Sequence, residues 1–470
     1  MPGMPCFLNQ GLAQSRPWAT HQDSAWRRAC APCWCAPPPW QAVIETLLRL
    51  GFGAPRRAAR AGETILDDTI LVIGASHAAA QAVDSLRREG HGGRIVVAGD
   101  EPHLPYQRPP LSKKYLSGEF DRDRLWIRPA AWYEQQRAEL LPGRRATRID
   151  LAAHRVDFHD GSSLGYGRLL LATGGRARPM TVPGADLAGV HCLRTIADVD
   201  AIRAGVGAGR RAVIVGAGYI GLECAASLVK LGLSVTVLEM ADRVMSRVVA
   251  PEMSDFYLQE HRSHGVRVLL DQRVTALEGS GRVAAVRCAD GSSHPADLVI
   301  VGIGLLPNVE LAAAAGLACE DGIAVDLHCR SSDLDVFAIG DCASQPSLRY
   351  GRRIRLESVD NAFEQAKTAA ANLCGREVVH DKVPWFWSDQ YELKLQIVGL
   401  SQGYDRAMLR GDPATRAFSC CYLAGDELIA LDAVNQARDF MQARKLIAER
   451  ARFDLAKLAD PGVALKDAAR

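Results

Sequence analysis

The sequence predicts an α/β protein with two Rossmann-like dinucleotide-binding domains, each on a parallel sheet, and a smaller C-terminal α+β domain. Three observations predict it. A short apolar run, a glycine-led turn and a helical stretch follow one another twice, from Thr69 and from Ala212. Each copy then passes a hairpin signal into one more apolar run ending in Gly. The C-terminal stretch alternates apolar and polar residues before a last helical segment, Ala437 to Leu458. A chain of 470 residues suits about three domains. At 48% hydrophobic and 23% charged it is globular rather than disordered.

Residues 1–68 read as a poorly ordered N-terminal extension. They lack strand alternation and hold Trp18, Trp26, Trp34, Trp40 and the run Pro37-Pro38-Pro39. Cys30-x-x-Cys33-x-Cys35 has metal-like spacing. A closed zinc site needs a second ligand pair, and Cys6 and His21 stand apart, so no metal is expected.

In the first copy, Thr69 to Ile73 is a strand, Gly74 opens the turn, the helix runs to Arg88, and Arg94 to Ala98 is the next strand before Gly99-Asp100. In the second, Ala212 to Val215 precedes Gly216-Ala217-Gly218-Tyr219-Ile220-Gly221, a helix to Leu231, and the strand Ser234 to Leu238 before Glu239. Such continuous apolar runs belong to strands buried on both faces. The hairpins turn at Asp160-Gly161 and Asp290-Gly291, and the following strands end at Gly174 and Gly302.

These turns suit dinucleotides for a physical reason. A pyrophosphate sits where free N–H groups and the helix dipole meet it, and glycines let the backbone approach. Gly216, Gly218 and Gly221 supply all three positions, and Glu239 lies where an acid accepts from both ribose hydroxyls. A carboxylate there repels a 2′-phosphate, and no Arg follows until Arg243, so NADH is expected over NADPH. Tyr219, Ile220 and Gly304 complete the expected NAD contacts. The first turn is degenerate: Ser76 and Ala79 replace the second and third Gly, with His77 and Ala78 between them. Asp100 is its ribose acid, with Glu101 as a fallback.

Asp335 to Asp341 is a strand ending in Gly-Asp. With Arg108-Pro109-Pro110-Leu111-Ser112-Lys113, Ala172-Thr173-Gly174-Gly175, Gly221-Leu222-Glu223, Gly340-Asp341-Cys342, Glu357-Ser358-Val359 and Pro384-Trp385-Phe386-Trp387-Ser388-Asp389-Gln390, the chain resembles the FAD-dependent ferredoxin reductases of the putidaredoxin reductase type, within the glutathione-reductase-like flavoproteins. The resemblance covers residues 69–470. It implies an FAD-binding domain in two parts, 69–178 and 310–378, an NAD-binding domain over 179–309, and a C-terminal interface domain over 379–470.

The resemblance also implies roles. FAD contacts are Gly74, Ser76, His77, Ala78, Asp100, Arg108, Ala146, Ala172, Thr173, Gly174, Arg194, Asp341, Val359 and Trp387. Lys113 lies beside the flavin near N5, paired with Glu223; these two are the expected catalytic residues. An ammonium there stabilises an anionic reduced flavin. Read without the family, Lys113 is a solvated surface lysine and Glu223 an exposed helix former. Trp385 and Trp387 share a strand face and serve either the core or the cofactor.

Thirteen Cys, scattered except for the N-terminal group and Cys420-Cys421, fit a reduced, cytoplasmic chain rather than a disulfide framework. Residues 74–120 hold no Cys, and Cys224 and Cys342 stand alone, so dithiol and peroxide chemistry lack their apparatus. The flavin is expected to pass electrons from NADH to a 2Fe–2S ferredoxin serving an oxygenase. The alternatives are an NADH oxidase and a redox-signalling flavoprotein resembling apoptosis-inducing factor. A net charge of +2 gives no support for nucleic-acid binding, no apolar stretch suits a membrane span, and a monomer or weak dimer is expected. Deleting the residues before Asp67 should leave folding, FAD uptake and NADH oxidation intact; a truncated protein that no longer retains FAD would refute the reading of the extension.

Overall fold

The computed structural model describes residues 68–470; the N-terminal extension, with its Cys30, Cys33 and Cys35, lies outside the described residues. Two five-stranded parallel sheets follow the two sequence copies. In the first, strand β1 (Ile70–Ile73) is central, between Ile95–Ala98 and Arg168–Leu171, with Ala138–Leu141 and Val336–Ala338 at the edges. It leads into helix α1 (His77–Arg88). In the second sheet, β2 (Arg211–Val215) lies between Ser234–Leu238 and Leu298–Val301, with Arg267–Leu269 and Val190–Cys192 outside. It leads into α2 (Tyr219–Lys230). β1 and β2 each have partners on both sides, so each sheet opens a crevice at the carboxyl end of its central strand, where doubly wound folds bind ligands.

The late strand Val336–Ala338 adds to the first sheet beside Arg168–Leu171. This brings helix α3 (Val359–Leu373) onto α1. Their contact is built from small side chains, Ala79, Ala82, Ala366, Ala369 and Ala370, which let the helices approach closely. Both helix starts point at the same crevice.

Strand β3 (Trp385–Gln390) opens a five-stranded antiparallel sheet, followed in spatial order by Leu393–Gly399, Glu427–Val434, Phe418–Ala424 and Arg406–Arg410. Helix Ala437–Ala448 covers it. The helical pattern from Ala437 to Leu458 is interrupted: Arg450 takes a left-handed φ of 53°, and a short helix, Leu455–Ala459, restarts from an Asp454 cap. No helix among the described residues is long and apolar enough to cross a membrane.

Asp432, 1% exposed in the antiparallel sheet, accepts a 2.5 Å hydrogen bond from the Tyr422 hydroxyl, which in turn accepts from the Ala250 N–H at 2.9 Å. Burial pushes the Asp432 carboxyl up to about 7. A folded-state pKa above the unfolded one gives stability that is full below the unfolded value and lost as pH rises through the folded value. Stability should therefore fall between about pH 4 and pH 7 through this group, and Asp432→Asn should flatten that slope in urea midpoints measured across pH 5 to 8. An unchanged slope would refute the assignment.

Candidate active site

A cavity of about 990 Å³ lies where the three domains meet. α1 contributes His77, the loop after the second strand contributes Pro109, Pro110 and Lys113, α2 contributes Glu223, α3 contributes Val359 and Phe363, and β3 contributes Trp387. Among the described residues, no cysteine lines it. Cys224 and Cys342 are fully buried, and burial raises both thiols.

The glycine turns explain why one copy tolerates substitution. Gly74 has φ 108°, and a Cβ there would lie 2.1 Å from the Ala172 carbonyl oxygen; Gly216 has φ 102° and would meet Gly302 at 2.5 Å. Only glycine fits these first positions. Ser76 has an ordinary φ of −140° and Gly218 one of −79°, so the second position accepts any small residue. A Cβ on Gly221 would lie 2.1 Å from the Gly216 carbonyl oxygen, whereas Ala79 is accommodated fully buried at the equivalent place.

Lys113 and Glu223 meet. The ammonium lies 2.9 Å from Glu223 Oε1, with side-chain exposures of 16% and 2%. Neither the solvated lysine nor the exposed helix former describes them. Ser112 Oγ donates to Glu223 Oε2 at 2.5 Å and Ser388 Oγ donates to Oε1 at 2.6 Å. Ion pair and hydroxyls together satisfy a carboxylate that would otherwise be costly to bury.

The other singled-out residues gather on the same crevice in distinct ways. Arg194 donates to Asp341 Oδ2 at 2.7 Å and to the Gly175 carbonyl at 2.9 Å. Arg108 donates to Glu101 Oε1, the Tyr106 hydroxyl and the Arg194 carbonyl, anchoring the loop that carries Lys113. Glu101 is thus engaged, and Asp100 remains exposed at the end of its strand. Thr173 and Asn308 exchange hydrogen bonds of 2.7 and 2.9 Å, fixing the Ala172-Thr173-Gly174 segment. Gly340, at φ 77°, places a would-be Cβ 3.4 Å from Ala78 and 3.9 Å from Ala362, so the Gly-Asp turn sits between the starts of α1 and α3. Val359 is the first residue of α3, where its N–H is free of the helix ladder. Ala146 is half-buried at the start of Ala146–Asp150 and packs on the cluster holding Ile73 and Ala98. Burial lowers His77 to about 4, so it is neutral near pH 7. Trp387 lines the cavity, while Trp385, 5.5 Å from it, packs on Phe440.

On the second sheet, Glu239 accepts from the Ala217 N–H at 2.6 Å and the Ala241 N–H at 2.9 Å, which locks it to the glycine turn. Arg243 is spent on the Val249 and Ser246 carbonyls and on Ser254. Gly304 has φ 113°, with Arg178 Nε and Arg247 Nη2 each 3.9 Å from its would-be Cβ. Tyr219 packs on Phe386, ring centroids 5.0 Å apart, across the domain boundary.

The sequence pointed to no role for His261, Arg178 and Arg247, nor for Ser112, Ser388 and Gln390. Ser112, Ser388 and Gln390 lie within the motifs that carry the family resemblance; His261 carries no local signal.

This geometry fits the two nucleotides. The first glycines leave room for phosphate, helix starts aim unpaired amides into the crevice, and each sheet ends beside an acid. Comparisons with known proteins agree. Residues 68–369 match the family model described as pyridine nucleotide-disulphide oxidoreductase, and residues 385–469 match one described as reductase C-terminal. The chain is 45% identical over 400 residues to the 5,5′-dehydrodivanillate O-demethylase ferredoxin reductase subunit of a Sphingobium species, covering 84% of this chain and 97% of that one. It is 43% identical over 407 residues to putidaredoxin reductase of Pseudomonas putida, covering 85% and 96%. The crystal structure of a covalent putidaredoxin reductase–putidaredoxin complex superposes with a TM-score of 0.83 at 43% identity, covering 85% of this chain and 98% of that chain.

With Glu239 locked in place and Arg243 occupied, a 2′-phosphate would meet a carboxylate, while Arg247, the other guanidinium of that loop, lies toward Gly304. Catalytic efficiency with NADH should exceed that with NADPH by at least about tenfold, and Glu239→Ala should narrow the ratio. Equal efficiencies in steady-state assays would refute the role of Glu239.

Proposed function

We take as premise that the chain belongs to the pyridine nucleotide-disulphide oxidoreductase family, among its ferredoxin reductases, and infer that it passes electrons from NADH through FAD to a ferredoxin. The observation that carries this reading is the buried Lys113–Glu223 pair at the junction of three domains, in a cavity that no thiol among the described residues lines. Bound FAD supplies the change from a two-electron donor to one-electron acceptors. The chain's part is to bind, orient and set charge.

Asp100, Asp341 and the amides of the first turn and of α3 hold FAD; Glu239 and the second turn hold NADH. Hydride transfer needs alignment rather than an acid or base. Lys113 supplies fixed positive charge beside the reacting ring, and Glu223 holds it there. His77 is neutral and adds no second cation.

The acceptor is a 2Fe–2S ferredoxin, which takes single electrons. Trp387 offers the exit on the C-terminal side. Arg444 lies over the Trp385 ring at 5.6 Å, and neither Arg444 nor Arg438 has a carboxylate at salt-bridge distance among the described residues. This exposed positive helix face suits an acidic partner. The C-terminal domain covers the flavin, which favours a monomer or weak dimer. The nine unpaired cysteines among the described residues suit a reducing, cytoplasmic setting.

After anaerobic reduction with NADH, stopped-flow mixing with an acidic 2Fe–2S ferredoxin should show rapid electron transfer. Arg444→Glu should slow that step roughly tenfold at low salt and spare flavin reduction by NADH. Absence of transfer to any ferredoxin, with FAD retained, would reject this function.

A further inference from the structure

The polar half of the Trp385–Gln390 strand is not used by cofactor binding. Trp387 faces the cavity, and the residues on the opposite face, Ser388 and Gln390, are 0% and 1% exposed. Buried polar side chains of this kind require partners. Gln390 Nε2 donates to Ser388 Oγ at 3.2 Å, and Gln390 Oε1 lies 2.8 Å from His261 Nε2. His261 Nδ1 lies 2.9 Å from the Tyr391 hydroxyl.

One chemical constraint fixes the direction of every bond. Glu223 is an acceptor, so the single Ser388 hydroxyl proton points to it. Ser388 must then accept, which turns the Gln390 amide nitrogen toward it and the amide oxygen toward His261. His261 must carry its proton on Nε2, and Nδ1 must accept from Tyr391. His261 is completely buried, and burial lowers it to about 4, which keeps it in the neutral form this order requires. The Tyr391 ring is held by stacking on His264 at 3.7 Å.

We propose that Gln390 and His261 are positioning residues for the Lys113–Glu223 pair: a one-way hydrogen-bond chain, Tyr391 to His261 to Gln390 to Ser388 to Glu223, fixes the carboxylate and so the ammonium. The chain crosses between the C-terminal and NAD domains three times and ends in the NAD domain at Glu223. It rests on the reading that a flavin lies against Lys113. When it is broken at Gln390, the Ser388 hydroxyl is free to turn away, and Lys113 loses its set position.

The test compares Gln390→Met, His261→Phe, the double variant and Tyr391→Phe with the parent holoenzyme. The readouts are the midpoint potential of the bound flavin, the rate constant of flavin reduction by NADH, the NADH dissociation constant and thermal stability. Each core variant should shift the potential negative and slow flavin reduction about three- to tenfold, with the NADH dissociation constant within about twofold of the parent. The double variant should be no worse than its worse single, because both cut one chain. Tyr391→Phe, which keeps the ring contact, should act in the same direction. If the core variants fail to fold, Tyr391→Phe still decides, together with ¹⁵N spectra of the parent, which should show neutral His261 protonated on Nε2. Additive effects, lowered thermal stability with unchanged potential and rate, or His261 protonated on Nδ1 would each overturn the proposal. A parent whose flavin NADH does not reduce would overturn the functional reading instead.

Discussion

The ion pair between Lys113 and Glu223 is the contact on which the rest of the site depends. A carboxylate at 2% exposure is costly to bury, and pairing alone seldom repays that cost. Here three donors converge on two oxygens, from the FAD domain through Lys113 and Ser112 and from the C-terminal sheet through Ser388. Glu223 itself stands on the helix whose start serves the NAD turn. The pair is therefore also a junction, since no domain can move away without leaving part of a buried charge unsatisfied.

Around that junction, the framework relies on close approach. α1 and α3 meet through alanines, and the first glycine of each turn sits where any side chain would strike the carbonyl end of a neighbouring strand. These contacts set where two helix starts and the two acids Asp100 and Glu239 stand. The Arg108 anchor then ties the loop bearing Lys113 to the segment that leaves the edge strand Val190–Cys192, and the Arg194–Asp341 bridge ties that segment to the Gly-Asp turn. Rigid elements thus carry the residues that line the two crevices, and loops are pinned to them.

Much of this was legible in the sequence because its physical causes are local. Strands buried on both faces leave uninterrupted apolar runs, and the turns need glycine at specific φ. Ser76 weakened the fingerprint only on paper, because its backbone angle is one that any residue adopts. Lys113 and Glu223 were assigned by resemblance, since 110 positions separate them and spacing carries no trace of their meeting. His261 was silent for the same reason: its bond to Gln390 spans 129 residues. The end of the helix at Ala448 was missed because Arg450, not glycine, takes the left-handed turn.

The strand Trp385–Gln390 places Trp387 on one face and Ser388 on the other, in register with Gln396 and Leu395 of its neighbour. Side chains along a strand alternate, so a slip of one position exchanges the faces throughout. Such a slip would turn an indole toward the carboxylate and a hydroxyl toward the cavity. The indole in the cavity wall and the support beneath Lys113 are therefore inherited together, and a single insertion in this strand would disable both at once.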